Sequence, residues 1–577
     1  MDRWIVDSEP SVRYPTYTRA NAGEVIPDPM TPLTVTLGIM TAGEAGWRDA
    51  YVSTGTLDAD EFEDNRPNTI ACFGGYLYLN MSLTRIYGVR TPGMTPEMVD
   101  FQYFGTMPGI PPYAEEARPT DESPVHTARL DEFLKTYTFA RDDLPELRAD
   151  RDEVDAFIAA RPDLTAVADA DLVARIRETT PIYRRLFERH ITVSASSGVG
   201  IGTVAGICDA VGRVDLAMTL VGAAGDVDSA APCWALWDLS RMVAGSHDLM
   251  AAFDDGVKGL PARLQASTSA DAAQFLSSFG DFLCRFESRG PNEWELRSAV
   301  WGTKPELALA AVDRMRLAGP EATPEANARR LVAAREEAAN EVRRLVAADG
   351  EAAARFEGGL RAALLFSAAR ERTKTNNIKI VHEGRLAMRE LGRRMVEGGQ
   401  LGAAEQVFML RDDELDAFLA DPSAFTATLE QREADYLSLF DLEPPFVLNG
   451  APPPVSQWAR RGSTSTEKAV PGTVLTGIPG CAGVGVGRAR VILDPADPTA
   501  LEPGDVLVAP VTDPAWTPLF VPAAAVVVDV GAQITHAVIV SRELGIPCVV
   551  SVTGATSSIP DGAMVRVDGA AGTVTLV

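Results

Sequence analysis

Gly531-Ala532-Gln533-Ile534-Thr535-His536-Ala537-Val538-Ile539-Val540-Ser541-Arg542-Glu543-Leu544-Gly545-Ile546-Pro547 reads as strand end, turn and short helix, with one histidine at the helix start. Residues 523–530 before it form a Val-rich run that suits a buried strand ending at Gly531. Residues 537–544 are amphipathic with helical spacing, closed by Gly545 and Pro547. A helix start offers backbone N–H groups without intrahelical partners and the positive end of the helix dipole. Both favour a phosphoryl group and disfavour imidazolium, so His536 is placed as a neutral nucleophile able to carry phosphate on nitrogen.

The surrounding composition narrows the setting. At 577 residues the chain exceeds one core, and two or three domains are expected. Its net charge of −27 argues against nucleic acid or an anionic membrane as a main partner. The six cysteines lack C-x-x-C spacing, so no zinc site or disulfide framework is indicated; they read as reduced core residues, and no metal site is expected. The N-terminal residues lack the pattern of a signal peptide and no apolar run is expected to be long enough to span a bilayer, which predicts a cytoplasmic protein.

Residues 1–120, rich in Pro, Gly and aromatics, predict irregular structure with short strands. Within them, three prolines in residues 21–34 forbid a helix and fix an extended path. Residues 121–440 change to long helical patterns at 152–160, 169–190, 323–348, 351–369 and 385–398. Residues 192–215, small and almost uncharged, suit closely packed helices or an apolar pocket. Residues 441–474 have linker composition, either a mobile tether or an ordered loop. Residues 475–577 alternate Val-rich strands with one or two helices. The fold class expected is therefore multidomain: a mostly α-helical domain over residues 1–440, a linker over 441–474 and a C-terminal α/β domain over 475–577.

The C-terminal segment resembles the mobile phosphohistidine domain of the phosphoenolpyruvate-utilising enzymes. The resemblance runs through Gly480-Cys481-Ala482-Gly483-Val484-Gly485-Val486-Gly487-Arg488-Ala489, Pro503-Gly504-Asp505-Val506-Leu507-Val508, Thr512-Asp513-Pro514-Ala515-Trp516-Thr517-Pro518, the His536 stretch and Asp568-Gly569-Ala570-Ala571-Gly572. Ala532 departs from it where many relatives carry a second glycine. Upstream, residues 21–34, 73–80, 288–295 and 369–374 resemble the acceptor-binding region of the rifampin phosphotransferases and, by layout, the catalytic subunit of phenylphosphate synthase-type enzymes.

The resemblance implies a swivelling domain in which His536 takes a phosphoryl group at one site and delivers it at another. Neither an ATP-grasp segment nor a phosphoenolpyruvate-binding barrel is recognised, so a separate ATP-grasp subunit is expected to bind ATP and Mg²⁺ and charge His536. The acceptor is expected to be a small aromatic hydroxyl compound, a phenol or alkylphenol, in a two-component aryl phosphate synthase of phenol degradation. Phosphorylation of a rifamycin-like antibiotic and a phosphocarrier role without a small-molecule acceptor are the alternatives.

Transfer to a hydroxyl calls for cations beside the phosphoryl group and a base for the proton. Arg370 and Lys374, spaced i, i+4, share a helix face and match the transfer-site pair of the rifampin-type relatives. Arg289 and Glu293 flank Gly290-Pro291 at a loop, as chemistry or as a structural ion pair. Glu24, in the proline-rich loop, is a candidate base or a loop anchor, and His382 a candidate proton-transfer group. Thr512, Asp513 and Thr535 are the candidates for cofactor binding. His190 is expected to end a helix, with His126 and His247 in turns.

Overall fold

The computed structural model describes residues 1–105, 107–222, 228, 231–317, 324–461, 468–493, 501–512, 516–532 and 535–577. The protein is multidomain, mostly helical, with a C-terminal α/β region. It divides into two compact units. The first comprises Met1–Ser196, Trp294–Ser298 and Arg372–Thr464; the second comprises Ser197–Glu293, Ala299–Glu371 and Ser465–Val577.

In the first unit a four-stranded antiparallel sheet has the order Ile70–Phe73, Tyr76–Asn80, Thr16–Thr18, Val447–Asn449. Gly74 and Gly75, with φ of 56° and 82°, make the tight turn between the first two strands. A Cβ on Gly74 would run into the Trp458 ring, so glycine is required there for space as well as for dihedral angles. Residues 1–120 are more helical than expected. Leu77, Tyr78 and Leu79 are buried together with apolar residues of the flanking helices, and that packing overrides the local Gly and Pro content. After the prolines a π-helical stretch, Thr34–Glu44, runs into Ala45–Ser53, and Met81–Arg90 and Pro96–Phe104 follow. Even the proline-rich loop contains one helical turn, Ala22–Val25, placed before its first proline. Residues 442–461 of the expected linker are ordered: Val447–Asn449 pairs with Thr16–Thr18, and Trp458 is buried. Residues 462–467 lie outside the described residues.

Two helices are longer than the sequence pattern predicts. Residues 169–190 continue to form Asp169–Ala210, so His190 lies within a helix. Residues 351–369 and 385–398 join in Gly350–Glu397. In the second unit a Cβ on Gly200 would come within 2.5 Å of the Ala363 backbone nitrogen, so the small residues after 192 serve close helix contact. The helix propensity of glycine is poor, and close packing supplies what propensity does not. Asp169–Ala210 is also long and apolar enough, by length and composition, to cross a membrane, which corrects the expectation from apolar runs. Core helices pass the same test, and 44% of its most apolar window is buried.

The second unit carries an eight-stranded sheet in the order Val474–Thr476, Thr573–Leu576, Met564–Asp568, Val484–Val491, Val506–Ala509, Ala525–Val528, Cys548–Val550, Ile478–Cys481. The four strands from Val484–Val491 to Cys548–Val550 are parallel, and the other pairings are antiparallel. Val506–Ala509, Ala525–Val528 and Cys548–Val550 are buried at every position, as strands covered on both faces must be. One face shares an apolar core with the helices Ala231–Ala244, Ala270–Phe286 and Glu306–Met315. None of the six cysteines is joined in a disulfide; five are buried and Cys284 is exposed.

Candidate functional site

The parallel strands bring the pieces around His536 together at their carboxyl ends, where open α/β sheets place ligands. Thr512 lies three residues beyond Val506–Ala509, His536 follows the neighbouring Ala525–Val528, and Ser551 follows Cys548–Val550. His536 is the first residue of the helix His536–Leu544, with Thr535 as N-cap and Gly545 closing it at φ 68°. Thr535 does not cap with its side chain; its hydroxyl donates to the Ala532 carbonyl at 2.8 Å.

The imidazole is half-buried. Its Nδ1 lies 3.2 Å from Thr512 Oγ1, and its ring meets Phe520 edge-on with centroids 6.0 Å apart. In the tautomer that donates from Nδ1–H to Thr512, the ring's basic lone pair lies on Nε2. Asp529 and Gly531, after the preceding strand, are held from the segment that follows the next strand. Ser551, in the left-handed region at φ 53°, donates from its hydroxyl to the Gly531 carbonyl, and Asp529 accepts from the Thr556 amide at 2.8 Å and from the Thr556 hydroxyl. Phe520, Ser551, Asp529 and Thr556 carried no sequence signal, because each matters through a partner from another strand end. Asp513 lies outside the described residues.

Elsewhere in the second unit, Arg289 and Glu293 form a buried ion pair, Nε to Oε2 at 3.1 Å, with each side chain no more than 2% exposed. Gly290 permits the turn between them, since a Cβ there would approach the Val300 Cα to 2.9 Å. Arg370 Nη1 donates to Glu371 Oε1 at 2.8 Å. Arg370 and Lys374 do share the helix Gly350–Glu397, and the division between units falls between them, at Glu371 and Arg372.

Glu24 and His382 belong, with Lys374, to the first unit. Glu24 is buried in the turn Ala22–Val25, whose loop is clamped by Arg19. The Arg19 guanidinium donates to the carbonyls of Pro27 at 3.0 Å and Leu77 at 2.8 Å, and also to that of Ile26. Asp28 in the same loop is a carboxylate missed from sequence: burial pushes its pKa up while Arg461 and Arg19 draw it down. His382 is buried, and Arg385 donates to its Nδ1 at 3.1 Å, which fixes the ring proton on Nε2. Arg385 also donates to the Glu295 carbonyl oxygen at 3.0 Å. His190, rather than ending a helix, sits with Nδ1 3.0 Å from Thr373 Oγ1.

His126 is likewise inside a helix, Pro124–Phe133, with Nε2 3.3 Å from Asp58 and 3.2 Å from Glu61. Arg129 and Arg90 hold those two carboxylates, so the cluster is already charge-balanced. A cavity of about 20 Å³ in this unit is lined by Thr34, Leu37, Tyr183, Trp294 and Val381, among others. It is far smaller than the ~150 Å³ cavity that admits benzene.

Two family models match this chain. Residues 501–572 match the model described as PEP-utilising enzyme, mobile domain, and residues 168–371 match Rifampicin phosphotransferase fourth domain. A Mycobacterium tuberculosis protein of uncharacterised function is 28% identical over 583 residues, covering 98% of this chain and 62% of its own length. A rifampicin phosphotransferase of Streptomyces sviceus is 32% identical over 51% of this chain and 34% of its own, and one of Bacillus subtilis is 29% identical over 51% and 33%. The chain thus spans less than two thirds of these relatives. The expected resemblances to the mobile phosphohistidine domain and to the rifampin phosphotransferases are both present.

Proposed function

We propose that this chain is a phosphotransferase that carries a phosphoryl group on His536 Nε2 and delivers it to a hydroxyl. The observation that carries the reading is the half-buried imidazole at a helix start, its Nδ1 held 3.2 Å from Thr512, within the segment that matches the mobile-domain model. In the first step Nε2 attacks phosphorus, the P–O bond to the donor breaks, and Thr512 accepts from Nδ1–H as the ring gains positive charge. In the second, the acceptor oxygen attacks as its hydroxyl proton passes to a base on the acceptor side, the P–N bond breaks, and the ring returns to neutral imidazole.

The phosphoryl donor in this reading is ATP with Mg²⁺ on a separate ATP-grasp subunit. The acceptor is a phenol or alkylphenol, as the likeness to phenylphosphate synthase-type enzymes implies. A rifamycin hydroxyl is the second reading, favoured by the relatives named rifampicin phosphotransferase and by the fourth-domain match over residues 168–371. Arg370, Lys374, Arg289, Glu293 and Glu24 are the proposed acceptor-side groups.

The test combines the purified chain with an ATP-grasp protein encoded beside it, ATP, Mg²⁺ and either a phenol panel or rifampicin. Acid-labile phosphate on His536, lost in His536→Ala, supports the carrier role, and its absence sinks it. Phosphorylated phenol or phosphorylated rifampicin decides the acceptor, and a charged histidine that transfers to neither points to a protein acceptor.

A further inference from the structure

We propose that Cys481 and Cys548 are a paired dithiol that closes reversibly into a disulfide inside the eight-stranded sheet, independently of the phosphotransfer reading. The two residues are direct partners in the antiparallel register between Ile478–Cys481 and Cys548–Val550. Directly opposed residues on antiparallel strands have Cα atoms about 4.5–5.5 Å apart and side chains on the same face. Disulfides span Cα separations of about 4.4–6.8 Å, so the register already satisfies the bond. Both thiols belong to the same buried apolar cluster, and a Cβ on Gly480 would lie 3.2 Å from Cys548 Sγ, which puts that sulfur against the opposing strand. The register shifts between Cys548 and Val549, beyond the pair, so Cys548 and Cys481 themselves remain direct partners.

The location gives the bond a consequence. Cys548 follows the exit of the His536–Leu544 helix by way of Gly545, Ile546 and Pro547, and Cys481 ends the edge strand. Arg542 on that helix already reaches the same edge strand, donating from Nε to the Gly480 carbonyl at 2.9 Å. A disulfide would add a covalent bond between the strand that follows the helix and that edge strand, and close the 481–548 loop that contains His536.

The chemistry is thiol–disulfide exchange with a small disulfide. The Cys481 thiolate attacks one sulfur of the reagent and releases a thiol. Cys548 then attacks the Cys481 sulfur of the mixed disulfide and expels the second thiol. The two cysteine sulfurs supply two electrons, and their protons end on the two released thiols. Burial pushes Cys481 up to about 11, against the pull of Arg542 and Arg330 and with the push of Glu543. The exchange is therefore slow at neutral pH and accelerates about tenfold per pH unit between pH 7 and 9.

The experiment treats the native full chain with oxidised glutathione, denatures it, alkylates with N-ethylmaleimide and maps peptides by mass spectrometry. The expected result is a Cys481–Cys548 linked peptide, alkylation at neither residue, and full recovery of both sites after dithiothreitol. Exposed Cys284 should carry glutathione in the same sample, which shows that the oxidant acted. Cys284→Ser, a surface change, should leave the linked peptide intact, and Cys548→Ser should abolish it. Alkylation of both Cys481 and Cys548 after Cys284 has reacted, or linkage of either to another cysteine, overturns the proposal.

Discussion

In the eight-stranded sheet the three parallel strands buried at every position are built of valine, alanine, leucine and cysteine, and the polar group of interest, His536, stays half-exposed at a strand's carboxyl end. Around the four-stranded sheet of the first unit the interior is crowded with charge. Arg85, Arg90, Arg385, Glu295 and Glu383 are each at most 1% exposed, and they are held by carbonyls, hydroxyls and opposing charges. An apolar sheet is a scaffold that tolerates change at its rim, because a rim residue has few obligations to the core. A charged interior is all obligation, since removing one partner leaves another buried and uncompensated.

That contrast yields measurements. The largest expected effect is on chemistry with little on fold: His536→Ala should lower phosphate transfer by about 10³-fold or more while the chain unfolds in urea as wild type does. A stability loss of similar size would show that the rim is not independent. Next, Glu383→Ala should destabilise the first unit by about 3–5 kcal/mol, because Arg161 and Arg175 lose their carboxylate, at 3.0 and 2.8 Å respectively. Tryptophan fluorescence in urea reads it, and a loss below about 1 kcal/mol would remove the distinction between the two interiors.

Legibility followed the same line. The α/β region could be read because its strands are short apolar runs separated by Gly and Pro, its pairings lie within about one hundred residues, and its motifs are contiguous. The first unit could not. Its sheet joins Thr16–Thr18 to Val447–Asn449, and its polar contacts, such as Thr31 to Glu295, connect segments far apart in sequence. Arg289 and Glu293 could be paired from spacing, whereas the Arg385 contact that holds His382 depends on a helix whose continuity through residues 370–385 the sequence did not reveal.

Glu295 offers a pH test of the charged interior. Burial raises its pKa, although Thr31, Thr34 and the Arg297 amide oppose the shift. A carboxyl whose folded pKa exceeds its unfolded value, near 4.5, stabilises the fold fully below that value, and the contribution is lost as pH rises through the folded pKa. Glu295→Gln should therefore compare less favourably with wild type at pH 4 than at pH 7.5, and a difference constant with pH would refute the assignment. Smaller still, Thr512→Val should slow His536 phosphorylation about threefold to tenfold, the worth of one hydrogen bond. Its imidazole NMR signals should also show a changed Nδ1/Nε2 tautomer balance. The smallest effect belongs to Arg129→Ala. Its pair with Asp58 is 49% exposed on both sides, and its loss should lower the unfolding free energy measured in urea by under about 1 kcal/mol.

The strand Thr16–Thr18 also sets a timetable for synthesis. Thr18 donates from its hydroxyl to the carbonyl of Phe446, 428 positions later. At ribosomal rates of about 5–20 residues per second, roughly 20–90 s pass between the two leaving the peptidyl-transferase centre. Throughout that interval the edge that Val447–Asn449 will cover offers unpaired backbone groups to other nascent chains, so the sheet's last strand is also its protection against aggregation during translation.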